Sequence, residues 1–431
     1  MQFSIQKWMG ARVFGALVIG ALCGCSNTSP TTATLDVAGR VDATPSIAAS
    51  GTFVAVAWGA RLDSKTDVFL AISRDGGSTF GPPVQVNAVA GEARLGGEFP
   101  PRVVLSADRG ASDPEIAVLW TARGAAVDIK AARSRDGGRT FAAPVTVQSA
   151  GAAGDRGWPS MAIDSAEGRI HAVWLDHRGL ADAPGSTAHR HNGREPEDEG
   201  VAMAQGSSLY YATFADAPSP EQELAKGVCY CCKTALVTGP RGALYAAWRH
   251  VYPGNLRDIA FAVSPGSGQP FSPPVRVSED GWEISGCPDD GPAMAVDAAG
   301  TVHIVWPTVI DENGPQGALF YASSRDGEAF SPRLRVPTLG AVKPAHPQIA
   351  LDSRGRILVA WDEQVSGRRT AAAREVKIDA GQAPSFGDVV TLSSNNVGTY
   401  PVVAAIDDGF VAAWTVPLDP SRIEVRRLKL P

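Results

Sequence analysis

Positive charge is not in surplus in this chain. Lys and Arg total 39 against 45 Asp and Glu, a net charge of −6, which leaves no electrostatic footprint for a nucleic-acid partner. Long apolar runs are absent beyond residues 13–24, so no later segment reads as a membrane-spanning helix. Cysteine is scarce, with six in 431 residues, and that makes the crowding of Cys229, Cys231 and Cys232 in "GVCYCCKTAL" informative. Glycine (46) and proline (32) are plentiful, as expected of a chain with many tight turns.

The opening "MQFSIQKWMGARVFGALVIGALCGCSN" sets Lys7 and Arg12 before an apolar run too short to span a bilayer with margin, the layout of a secretory signal. Its end, Leu22-Cys23-Gly24-Cys25, resembles the lipobox of bacterial lipoproteins. The resemblance implies cleavage before Cys25 and lipidation of its thiol. Residues 1–24 are then a signal peptide, 25–32 a lipidated tether and 33–431 one domain. The expected location is exported, facing the periplasm or the outer surface and membrane-anchored through Cys25. Four cysteines remain after cleavage: Cys229, Cys231, Cys232 and Cys287. An even number in an oxidising compartment points to disulfides.

Tryptophan serves as a ruler for internal repeats. Short apolar runs end at Trp58, Trp120, Trp174, Trp248, Trp306, Trp361 and Trp414, spaced 53 to 74 residues apart. Before most of them lies another apolar strand and a tight turn, as in "IALDSRGRILVAW". After them come a third strand ("DVFLAIS", "DIAFAVS") and a fourth ("PPVQVN", "PPVRVS"). Short alternating runs with Asp/Ser/Gly turns read as hairpins. Four antiparallel strands per unit describe one blade of an all-β propeller. Seven units predict seven blades, or six if one unit is incomplete. The last unit has three strands, and Ala33 to Gly39 is placed to supply the fourth and close the ring.

Between third and fourth strands sit "SRDGGSTF", "SRDGGRTF" and "SRDGEAF", carrying Asp75, Asp136 and Asp326. These turns resemble the Asp box of the sialidase-like superfamily, and the resemblance covers essentially the whole mature chain. It implies a propeller and a structural role for the three aspartates; Asp boxes recur in proteins of many functions. A sialidase also implies three arginines for a substrate carboxylate, an acid/base Asp and a Tyr–Glu nucleophile pair. Arg102, Arg249 and Arg257 with Tyr400 are the nearest residues here, but no motif supports that mapping.

Strand order places the connections between blades, and the loops after each Trp, at one end of the channel. Cys229 and Cys287 each lie 19 residues before a ruler Trp, which puts Cys231 and Cys232 in register with Asp289 and Asp290. Equivalent connections hold Asp42, Glu98, Arg156 with Trp158, Lys343 with His346, and Tyr400. Arg156, Trp158, Arg249, His250 and His346 are therefore the candidate ligand-binding residues. Asp289, Asp290, Arg102, Arg249 and Tyr400 are the candidates should the chain be an enzyme. The four cysteines read first as disulfides. The alternative is a metal site with His189 and His191 from the long loop after Trp174, a soft donor set suited to copper or zinc. Arg257 and Asp258 read as a structural ion pair. The expected function is a ligand-binding or assembly module for a glycan, metal ion or protein; the alternative is a glycoside hydrolase of the sialidase-like class.

Overall fold

The structure, a computed structural model, describes residues 32–430 apart from 107–112, 125–126, 150–152, 165–167, 181–196, 215–218, 267–268, 285, 287, 312–313, 341, 380 and 394. Cys25, His189, His191 and Cys287 lie outside the described residues.

Seven antiparallel sheets stand in a ring. The first runs Val41–Ser50, Phe53–Leu62, Lys65–Ser73 and Val84–Gln85 from the channel outward. The seventh takes its outer strand from the other end of the chain: Thr32–Leu35 pairs with Arg422–Leu428, Thr32 opposite Arg426 and Leu35 opposite Ile423. The expected closure and the seven-blade count both hold, and the six-blade alternative is discarded. Pairing the outermost strand across the chain's ends leaves the ring no open junction between first and last blades. The one α-helix among the described residues, Glu197–Gln205, follows the long loop after Trp174.

The ruler tryptophans are at most 1 % exposed. Each fills the space between its own sheet and a neighbour: Trp58 packs among Val411, Ala413 and Ile423 of the seventh blade, Trp120 among Ala55 and Val68 of the first. Truncating one such side chain to Ala costs about 3–5 kcal/mol. The repeat seen in sequence is thus the repeat of the inter-blade core.

The Asp boxes close the outer hairpins. Asp75 Oδ1 accepts from the Ser78 and Thr79 amides at 3.0 and 2.9 Å, and Oδ2 from the Thr79 hydroxyl at 2.6 Å. Asp136 repeats the set with Arg139 and Thr140; Asp326 keeps the two amide bonds. Gly77 (φ +87°) lies so close to the seventh blade that a Cβ would come within 2.8 Å of Val411. The aspartates tie turns at the end of the sheets opposite the inter-blade connections.

Candidate functional site at the channel mouth

Four inner strands begin with the same irregularity. Pairing jumps by two residues at Ala43/Ser46, Gly157/Ser160, Ala345/Gln348 and Thr399/Val402. The bulged pairs are Thr44-Pro45, Trp158-Pro159, His346-Pro347 and Tyr400-Pro401. The first residue of each has positive φ, +57°, +50°, +54° and +52°. Proline supplies no N–H to the ladder and disfavours helical backbone in the residue before it. A non-glycine residue at positive φ is strained, and bulges re-aim side chains. Here that device repeats around the ring, at the end where the chain enters each blade.

Two of the bulge amides are held by the residue directly after a ruler Trp in the preceding blade. Thr415 Oγ1 accepts from the Thr44 amide at 2.9 Å, and Asp362 Oδ2 from the Tyr400 amide at 2.6 Å. In the fifth blade this position is Pro307, which has no acceptor side chain. Asp290 Oδ2 instead accepts from the His346 amide at 2.8 Å, while Oδ1 accepts from the Gly291 amide at 2.9 Å. Asp290 therefore satisfies backbone donors, as a turn aspartate does. Its neighbour Asp289 is exposed, with φ +51°.

These contacts gather an acid–base cluster from the second, fifth, sixth and seventh blades. His346 Nδ1 lies 2.8 Å from Asp362 Oδ2, and its Nε2 lies 3.8 Å from Glu98 Oε1. The Tyr400 ring stacks obliquely on the imidazole with centroids 4.1 Å apart. Arg369 pairs with Asp362. Tyr400 also lies over Gly97, where a Cβ would stand 2.0 Å from Tyr400 Cζ; glycine is the residue that permits this approach. Lys233 crosses to the Pro347 carbonyl at 2.7 Å and sits 3.9 Å from Asp290. Arg102 donates to the Pro159 carbonyl at 2.8 Å.

Burial and crowding set the protonation states. Glu98 is 3 % exposed, and its Oε2 has no hydrogen-bond partner among the described residues. Burial first, then the charge of Asp290, pushes its pKa up to about 8, against the pull of Lys233 and His346. At neutral pH it is mostly the neutral acid. Burial opposes charging His346, but the Asp362 carboxylate outweighs it and the pKa is raised. Burial also opposes ionising Asp362, yet His346, Arg369 and the Tyr400 amide hold it down. Burial, then the charges of Glu98 and Asp362, raises the Tyr400 phenol. Beneath the cluster the channel holds a cavity of about 230 Å³, lined by Ser46, Arg102, Ser160, Thr234, Gln348 and Val402 among others.

The cysteines occupy the adjoining sector. Cys229 and Cys232 are buried free thiols, and Cys231 is disulfide-bonded. The Cys229 and Cys231 sulfurs are 3.9 Å apart, and all three sulfurs lie within 4.8 Å of one another. Burial opposes ionising Cys229, but a hydrogen bond from Cys232 and the charges of Arg257 and Arg249 hold it below an ordinary thiol. Burial and that same contact push Cys232 well up.

Among the other residues singled out in sequence, Arg156 is buried and donates to the Gly154 and Ala153 carbonyls, with Asp176 at 3.2 Å. Trp158 is buried against Phe99 and His177. Arg249 is buried, with Nε, Nη1 and Nη2 on the carbonyls of Asp290, Arg257 and Pro307. His250 accepts from Trp248 at 3.4 Å and meets Tyr252 edge-on. Arg257 does not pair with Asp258: it turns to Asn255 Oδ1 at 3.1 Å, and Asp258 pairs with Arg276. Asp362 and Arg369 are the members of the cluster that the sequence reading passed over. The available signal was a charged residue immediately after a ruler Trp.

No protein-family model matches the sequence, nor does any curated protein. Solved structures match across nearly the whole chain. A polysaccharide lyase, an ulvan lyase bound to a GlcA(1-4)Rha3S unit, is 11 % identical with a TM-score of 0.55, covering 91 % of this chain and 94 % of its own. The Penicillium chrysogenum alpha-L-arabinanase complexed with arabinobiose is 12 % identical at 0.50, covering 93 % and 97 %. A microbial sialidase designated Hz136 is 15 % identical at 0.48, covering 87 % and 73 %. The first two support the propeller fold.

Proposed function

We propose that this chain is an exported, lipid-anchored propeller that binds a carbohydrate at the mouth of its central channel. The observation that carries the reading is the Glu98–His346–Asp362–Tyr400 cluster. A neutral buried carboxyl with an unpartnered oxygen, an imidazole and an aromatic face converge where four blades meet. Sugars are recognised by such a mixture of hydrogen-bonding groups and ring faces in a concave site. His346, Tyr400 and Arg369 are partly accessible and Asp289 is exposed, so a ligand reaches these first. Two fold neighbours carry bound saccharides. That is analogy, and it adds to the site without replacing it.

Binding is preferred over hydrolysis because most of the carboxylates are already engaged. Asp290 holds two amides, and Asp362 holds His346, Arg369 and an amide. Arg249, one of the arginines required by the sialidase mapping, is committed to carbonyls. One observation favours a second reading: the raised pKa of Glu98 is that of a general acid, which a glycoside hydrolase needs. The test is calorimetric titration of the mature protein with a panel of neutral and acidic oligosaccharides, followed by product analysis. The binding reading expects a saturable heat, at least tenfold weaker in His346→Ala, and intact sugar afterwards. Binding to no member of the panel, or binding indifferent to His346→Ala, overturns it. Cleavage that disappears in Glu98→Gln establishes the second reading instead.

A further inference from the structure

The cysteine sector is separate in chemistry from the acid–base cluster and is not used by the reading above. Three of its features belong together. Cys229 and Cys232 have Cys-x-x-Cys spacing, are both free and are both fully enclosed. Their sulfurs share a 4.8 Å sphere with that of Cys231, which is already committed to a disulfide. In the same sector Arg257 is 0 % exposed, and its two terminal nitrogens, Nη1 and Nη2, have no hydrogen-bond partner among the described residues. A guanidinium buried with open donors is costly unless a negative charge shares its enclosure. The carboxylate next to it in sequence, Asp258, accepts from Arg276 through Oδ2, and its Oδ1 makes no hydrogen bond to Arg257 or to any other described residue. Arg249 links the two, its carbonyl accepting from the Cys229 amide at 2.9 Å and its Nη1 donating to the Arg257 carbonyl at 2.7 Å, so a negative charge on the sulfurs would share the enclosure of the guanidinium.

We propose that Cys229 and Cys232 form a two-coordinate site for a soft monovalent cation, Cu(I), with Arg257 as the counter-charge to the complex. Two thiolates around one Cu(I) carry a net charge of −1, which the guanidinium balances. Thiolates are the donors that select Cu(I). Zn(II) fits less well: it asks for four ligands, and the third sulfur of the cluster is bonded elsewhere. Loading releases the two thiol protons to solvent and moves no electrons. Arg257 is a positioning and charge-balancing residue.

The experiment uses the full mature chain, anaerobic, with Cys231 left in its disulfide, titrated with Cu(I) against a chromophoric Cu(I) chelator. One equivalent per chain is expected to be withdrawn from the chelator. Cys229→Ser and Cys232→Ser each abolish the withdrawal. Arg257→Gln retains both thiols and weakens it at least tenfold, an effect a merely structural arginine would not produce in a variant of unchanged melting temperature. Should the serine variants fail to fold, X-ray absorption of the loaded wild type replaces them, with sulfur as the only scatterer around copper. No withdrawal from the chelator overturns the proposal. So does equal or tighter uptake of Zn(II), or nitrogen scatterers in the copper shell.

Discussion

Replacing Glu98 with Gln isolates the electrostatic state of the mouth. Glu98 is 3 % exposed, and its pKa of about 8 stands against an ordinary 4.5. At about 1.4 kcal/mol for each tenfold change in the proton equilibrium, ionising it in the fold costs about 5 kcal/mol relative to the unfolded chain. The sign follows from the direction of the shift. A group whose folded pKa is raised contributes stability fully present below its unfolded value, near pH 4.5, and lost as pH rises through about 8. The raised pKa of His346 works in the same direction. Glu98→Gln, similar in shape and unable to ionise, should therefore match the wild type near pH 5. By pH 9 it should be more stable by several kcal/mol. Urea unfolding followed by tryptophan fluorescence at half-unit steps from pH 5 to 9 measures this. The diagnostic quantity is the wild-type minus variant difference at each pH. A difference that stays flat across that range, or has the opposite slope, refutes a buried neutral carboxyl at this position.

Other consequences are read by stability and association. Gly97→Ala puts a Cβ against the Tyr400 ring, and calorimetry should show a loss of about 1–3 kcal/mol with weakened ligand binding. Asp75→Ala removes the acceptor of four bonds in an exposed turn; with solvent screening allowed for, the loss should be about 1 kcal/mol. The folded pKa of Asp75 is lowered to about 2, so its stabilisation is present above about pH 4 and should vanish as pH falls through about 2. Deleting Thr32–Leu35 exposes the edge of the strand Arg422–Leu428 and uncovers the site of buried Leu35. A lower melting temperature and concentration-dependent association by light scattering should follow.

The ring was legible because its core repeats: a tryptophan in each blade, Asp-box turns and a chain-terminal strand all leave local marks. The equivalence of Cys232 and Asp290 was legible for the same reason, from distance to the next Trp. The acid–base cluster was legible only in part. Glu98, His346 and Tyr400 could be placed at one end of the channel, but which of them meet depends on side-chain directions that spacing does not carry. Those directions come from the x-Pro bulges at Thr44, Trp158, His346 and Tyr400, whose prolines were visible and unused. Asp362 went unnoticed because its role is to hold a bulge amide of the next blade, a contact between blades. The Arg257–Asp258 expectation failed because each side chain takes a different partner, Arg257 donating to Asn255 Oδ1 and Asp258 accepting from Arg276. Asn255 lies two residues back in the same connection, and Arg276 lies on the strand Val275–Arg276.

The most direct test of the channel-mouth account is a crystal structure of the mature protein soaked with an oligosaccharide that gives a saturable heat. The account predicts the sugar seated among the accessible His346, Tyr400, Arg369 and Asp289. Sugar bound instead at the Asp-box end or on the outer strands, with the mouth unchanged, would contradict it.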